Sequence, residues 1–165
     1  MANAIEFQKA KQRNYTILLV EDDSHLLKVI YDILKSKGYQ VTTATSGEEA
    51  VETLNTNDFD LVITDISMGK VNGISVLKKV KELNHETMVI IMTGSLDVNL
   101  AIEALRLDAD DYILKPFNLA DLLERVSNCL TKLENTRKNR RSSKRNKASN
   151  DHTINLTGIV SHDVR

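Results

Sequence analysis

A single cysteine, Cys129, excludes an internal disulfide and any cluster of cysteine-held metal. Tryptophan is absent and aromatic residues make up 4% of the chain, so a core has to rest on Ile, Leu, Val and Ala. Proline occurs once, at Pro116, and no segment repeats. No run of apolar residues approaches the eighteen or so that cross a membrane, and the first residues lack the apolar centre of a signal peptide. These absences, with one cysteine, lead to the expectation of a soluble cytoplasmic protein without a membrane partner.

What is present is enough for a core: 41% of the 165 residues are apolar, the length of one ordinary domain and an extra segment. A net charge of -1 conceals an uneven distribution. Eight of the 22 basic residues and one of the 23 acidic ones lie between Lys132 and Lys147, so an acidic globule precedes a basic stretch.

Periodicity sets the order of elements. Apolar runs predict strands over 15–20, 39–44, 60–64, 88–92 and 112–114. Helices are expected over 24–38, 46–55, 74–83, 97–107 and 119–133. Ser24 or Asp23 serves as a start signal for the first helix and Gly38 as its stop, while Ser46-Gly-Glu-Glu49 reads as a capping box. Five strands alternating with five helices call for an α/β fold, a doubly wound parallel sheet with helices on both faces. That domain is placed at 14–133, after a loose arm at 1–13.

Function in such sheets gathers at the carboxyl ends of the strands. There the sequence sets Glu21, Asp22 and Asp23, then Asp65, then Thr93-Gly94-Ser95, then Lys115-Pro116. One Asp after a strand is usually a turn residue or a helix cap, and a Lys-Pro pair is usually a loop. Four strand ends with compatible chemistry are a different matter. Crowded carboxylates stay ionised only around a cation, and an all-oxygen set favours a hard ion such as Mg²⁺. A phosphate would find a positive charge in Lys115 and a hydrogen-bond donor in Thr93, and Asp65 is placed to act as a carboxylate nucleophile.

The strings Ile17-Leu-Leu-Val-Glu-Asp-Asp23, Asp60-Leu-Val-Ile-Thr-Asp65, Asn72-Gly73, Val89-Ile-Ile-Met-Thr-Gly94 and Ala109-Asp-Asp-Tyr-Ile-Leu-Lys-Pro-Phe117 carry a family resemblance. In this order they resemble the receiver domain of two-component response regulators, with the fold of the chemotaxis response regulator. The resemblance implies a flavodoxin-like (βα)5 sheet of order 2-1-3-4-5. It implies a signalling switch rather than a conventional enzyme, one that catalyses its own phosphorylation and dephosphorylation. Asp65 would be the phosphoacceptor, and Mg²⁺ would be held by Asp22, Asp65, the carbonyl of Ser67 and, through water, Glu21. Thr93 and Lys115 would meet the phosphoryl group, and Tyr112 would turn inward as Thr93 moves, simple packing at the sheet edge being the other reading. The Lys115–Pro116 bond is expected to be cis. The phosphodonor would be a sensor histidine kinase or phosphotransfer protein, and a weak dimer would use the face of helix 4, strand 5 and helix 5.

Gly69 stands where the family usually has Pro, and Asp108 where a Gly usually ends the fourth helix. The first should loosen its loop, and the second requires a left-handed Asp. Small Ser67 and Ser95 beside the site suggest water access and a short-lived acyl phosphate.

Residues 134–165 are read as a basic, disordered linker. Without interleaved aromatics, a nucleic-acid role is not expected of it. Its last part, Leu156-Thr-Gly-Ile-Val-Ser-His-Asp-Val-Arg165, resembles the start of the phosphoacceptor box of sensor histidine kinases, with His162 as a second phosphoacceptor; the alternative is a chance match. On the first reading a receiver precedes a histidine kinase in a longer chain. Two other chemistries fit the sheet less well. A phosphatase of the haloacid dehalogenase kind needs a general acid where Ser67 stands, and a flavodoxin-like cofactor site needs a glycine-rich loop where Glu21-Asp-Asp23 stands.

Overall fold

A computed structural model describes residues 14–94 and 98–160, with side chains described as far as Asp151. Its strands are β1 (Thr16–Val20), β2 (Gln40–Ala44), β3 (Leu61–Asp65), β4 (Met88–Thr93) and β5 (Asp111–Leu114). Its helices are α1 (Ser24–Ser36), α2 (Gly47–Thr56), α3 (Gly73–Leu83), α4 (Val98–Arg106) and α5 (Leu119–Val160). All strand pairs are parallel, in the order β2-β1-β3-β4-β5.

Of the three inner strands, β3 and β4 are buried along their whole length, which is why they read as nearly unbroken apolar runs. Successive residues alternate between two cores. Ile17, Leu19, Ile63, Ile90 and Ile113 pack with Ile30 and Leu34 of α1 and with Leu122, Val126 and Leu130 of α5. Leu18, Val20, Val62 and Ile91 face Ala50 and Leu54 of α2, Ile74, Leu77 and Val80 of α3, and Ala104 of α4. The sheet is therefore covered on both faces and its carboxyl edge is left to the loops.

Local chemistry explains the helix ends. Asp23, not Ser24, caps α1, its carboxylate accepting from the amides of His25 and Leu26 at 2.9 and 3.2 Å. Ser24 is the first helical residue because the Asp23 carboxylate already serves the free amides of the two residues after it. At the other end Gly38 adopts φ 91°, its amide reaching the Lys35 carbonyl and the Tyr39 amide the Leu34 carbonyl. Ser46 caps α2 through the Glu49 amide, and Glu49 reaches back to Thr45 at 2.7 Å, one residue earlier than in the standard box. Asp108 takes the left-handed conformation expected of it, φ 63°, just past α4. The Lys115–Pro116 bond is cis, as expected.

The chain after Leu133 differs from the expected disorder. It forms a separate unit from Glu134 onward, and α5 is helical to Val160. No proline or glycine interrupts this stretch before Gly158, and Lys and Arg are good helix formers. Every side chain from Lys138 to Asp151 is exposed, so this part is helix without a core of its own. The 1–13 arm, Ser95, Asp97 and His162 lie outside the described residues. Among the described residues no helix is long and apolar enough to cross a membrane.

An ion pair ties the amino ends of β4 and β5 to α3. Lys81 Nζ donates to Asp110 Oδ2 at 3.0 Å and to the Thr87 carbonyl at 2.7 Å, and the same Asp110 oxygen accepts from the Val89 amide at 2.8 Å. Both side chains are mostly buried. Lys81→Met is expected to lower unfolding free energy by about 1–3 kcal/mol at an unchanged m-value in urea, because Asp110 then stays buried without its ammonium. Cys129 gives a second test. Burial, aided by the charges of Asp110 and Asp111, raises its thiol from 9.0 to about 12. The folded thiol keeps its proton where the unfolded one has lost it, so stability falls as pH rises from 9.0 to about 12. Cys129→Ala should remove a slope of about 1.4 kcal/mol per pH unit from that window, and native protein should resist thiol reagents at neutral pH.

Candidate functional site: an acidic pocket at the carboxyl edge

The strand order places β1, β3, β4 and β5 side by side, so the residues at their carboxyl ends meet. Val20 of β1 pairs with Thr64 of β3, which puts Glu21 beside Asp65. Asp65 pairs with Met92, and Thr93 with Leu114, which brings Thr93 and Lys115 to the same edge. The Lys115 amide donates to the Thr93 carbonyl at 2.8 Å and fixes the start of the last loop.

Glu21 and Asp65 are buried, at 1% and 5% exposure, while Asp22 is exposed at the rim. One carboxylate oxygen from each of the three lies within 4.8 Å of the others. Lys115 Nζ sits among them, 2.7 Å from Glu21 Oε2 and 3.2 Å from Asp65 Oδ2. Glu21 also accepts from the Asp23 amide at 3.0 Å. Burial raises the Glu21 carboxyl above its ordinary range, with the Asp65 charge adding to the rise and the bonds to Lys115 and the Asp23 amide opposing it. Burial works to lower the Lys115 ammonium, but the bond to Glu21 and the charges of Asp65 and Glu21 outweigh it and hold the ammonium above the usual lysine value.

Three carboxylates therefore meet at one edge, and two of them share one ammonium. The donor set is all oxygen and partly open to solvent through Asp22, which suits a hard divalent ion of the Mg²⁺ kind. The pocket carries no imidazole or thiol among its described residues.

The remaining residues are placed around this centre. Ser67 is exposed on the β3–α3 loop, and its amide lies 3.4 Å from Asp65 Oδ1. Thr93 is buried at the end of β4. Tyr112, the residue expected to turn inward, is 48% exposed and lines an outer groove with Phe117, Asp121 and Arg125. The sequence did not show that Lys115 would hold Glu21 as well as Asp65. It also gave no sign that Gly47, on α2, would border the Ser67 loop; its place in Ser46-Gly-Glu-Glu49 marked only a helix start.

Comparison with known proteins agrees with this geometry. Residues 17–127 match the family model of the response regulator receiver domain. The chain is 36% identical over 118 residues to response regulator SaeR of Staphylococcus aureus strain USA300, covering 72% of this chain and 51% of that protein. It thus spans about half the length of the curated relatives it matches. A CheY-like receiver domain protein from Methanospirillum hungatei JF-1 superposes with a TM-score of 0.73 at 31% identity, covering 75% of this chain and 99% of that one. Response regulator TrrA from Thermotoga maritima, solved in complex with Mg²⁺-BeF, gives 0.64 at 29% identity over 70% of this chain and 98% of that one. Fold and site define a doubly wound α/β signalling module with an acidic pocket at the strand ends. The chain belongs to the response regulator receiver family of two-component systems.

Lys115→Met is expected to cost about 1–3 kcal/mol at pH 7 without divalent cations, since Glu21 and Asp65 are then left facing each other. The cost should shrink as pH falls toward the carboxylate range, because the raised Glu21 carboxyl takes up a proton and its charge is lost. Urea unfolding in a chelator at both pH values measures it.

Proposed function

We propose that this receiver takes a phosphoryl group onto Asp65 from a phosphohistidine on a sensor histidine kinase or phosphotransfer protein. The observation that carries the reading is the buried Asp65 carboxylate, held at a strand end beside two further carboxylates and one ammonium. Asp22, Asp65 and the Ser67 carbonyl would hold Mg²⁺, with Glu21 joining through water. Bound there, the ion neutralises charge on the phosphoryl oxygens and so lowers the barrier to transfer.

The chain's own groups do the rest. An Asp65 oxygen attacks phosphorus, the phosphorus–nitrogen bond of the donor breaks, and the departing imidazole keeps the bond's electron pair and takes up a proton. Lys115 shifts from the carboxylates to a phosphoryl oxygen, and the Thr93 hydroxyl donates to another. Attack by water on the same phosphorus returns inorganic phosphate and the free Asp65.

A groove of about 540 Å³, lined by Leu26, Val29, Lys115, Pro116 and Phe117, opens beside this edge and gives an apolar seat to the donor. Tyr112 is in an outward position, so an inward turn remains available to report phosphorylation. Val98, Ile102 and Leu105 of α4 and Tyr112 and Leu114 of β5 are exposed, which supports the α4–β5–α5 face as the surface of a weak dimer. His162 as a second phosphoacceptor, at the front of a kinase, rests on the sequence alone.

Intact mass after incubation with acetyl phosphate tests the reading. One phosphoryl group is expected on the wild type with Mg²⁺, none in chelator, and none on Asp65→Ala; the adduct should be labile to hydroxylamine. A folded wild type that gains no mass with Mg²⁺ would sink the proposal.

A further inference from the structure

The β3–α3 loop, residues 66–72, carries Ser67 and is held from both sides by bare backbone. Gly73, the first residue of α3, lies so close to Asp65 that a side chain there would strike the Asp65 carbonyl and come within 2.8 Å of the Ile66 Cα. Gly47, the first residue of α2, does the same at the other end. A Cβ on it would strike the Val71 carbonyl oxygen, stand 2.7 Å from the carbonyl carbon and 2.8 Å from the Val71 Cβ. Real side chains essentially never approach backbone this closely, so something must shift. Gly47 has a negative φ, unlike Gly38, so its requirement is space, not backbone freedom.

The two sides of this contact differ in stiffness. The start of α2 is fixed by the Ser46 and Glu49 caps and by buried Ala50 and Leu54. The loop is fixed near its ends, by buried Ile66 and Met68 and by the Gly73 amide on the Ile66 carbonyl at 3.0 Å. Between them, Gly69 has no atom within 4 Å of where its side chain would be. Pressure at Val71 therefore falls on the loop rather than the helix, and only the short backbone run 68–70 separates Val71 from Ser67.

We infer that Gly47 is a positioning residue for the metal site: its missing side chain seats Val71 and thereby sets the Ser67 carbonyl against Asp65. This rests on the Mg²⁺ role of Ser67 proposed above. Groups behind the direct ligands typically change metal affinity by about 10–100-fold when altered.

The test is calorimetric titration with Mg²⁺ alone, with urea midpoints on the same samples. Gly47→Ala is expected to bind Mg²⁺ about 10-fold more weakly or worse. Gly38→Ala is the control: it strains a left-handed residue in open space, so it should lose stability and keep wild-type affinity. A folded Gly47→Ala with wild-type affinity overturns the inference, as does an equal loss in Gly38→Ala. If Gly47→Ala does not fold, Val71→Gly decides, since it frees the loop without a collision; weakened binding supports the inference and unchanged binding overturns it. A wild type that binds no Mg²⁺ removes the metal reading itself, and this inference with it, and shows in the wild-type titration before any variant is compared.

Discussion

Glu21 and Asp65 share one ammonium, and much of the rest of the molecule exists to make that arrangement stand. Two buried carboxylates at neighbouring strand ends lose their water and repel, and Lys115, at 2.7 and 3.2 Å, opposes both costs. Asp22 at the rim adds a third negative charge. Such a site is costly to fold unless the strands that carry it are rigid. They are: β3 and β4 are buried along their entire length and sealed by helices on both faces. The same imbalance is what prepares the site for a cation, and for a phosphoryl group that would draw Lys115 away from its present partners.

Much of this fold was readable from period and punctuation. Unbroken runs such as Leu61–Asp65 announce strands covered on both faces, and Gly38 and Ser46 mark helix ends by backbone chemistry that hardly depends on context. Asp23 and Ser24 could not be separated as caps, because both offer a side-chain oxygen at the right offset and only the geometry chooses. The helix beyond Leu133 was read as disordered because its charge and lack of apolar residues argue against a core. From Lys138 to Asp151 the side chains are exposed, but a helix that continues an already packed one does not have to nucleate.

The candidate site was legible where it rests on a residue type and hidden where it rests on a contact. Asp65 and Thr93 each end a strand and Lys115 follows one, and the parallel order brings them to one edge. That Lys115 bridges Glu21 and Asp65 depends on side-chain reach that no spacing encodes. Gly47 is the clearest case. In sequence it is the unremarkable second residue of a capping box, and only the fold reveals the Val71 carbonyl lying against it. Asp108 is intermediate: its left-handed φ of 63° follows from its position just past α4.

The acidic pocket sets three carboxylates around one ammonium, so a divalent cation entering it is expected to stabilise the fold. Unfolding free energy measured against Mg²⁺ concentration tests this most directly. For the wild type, stability should rise with each tenfold increase above the dissociation constant, by about 1.4 kcal/mol. Asp65→Asn should be more stable than the wild type in chelator and should gain much less from the ion. A wild-type stability indifferent to Mg²⁺, together with an Asp65→Asn protein that is less stable in chelator, would contradict the account.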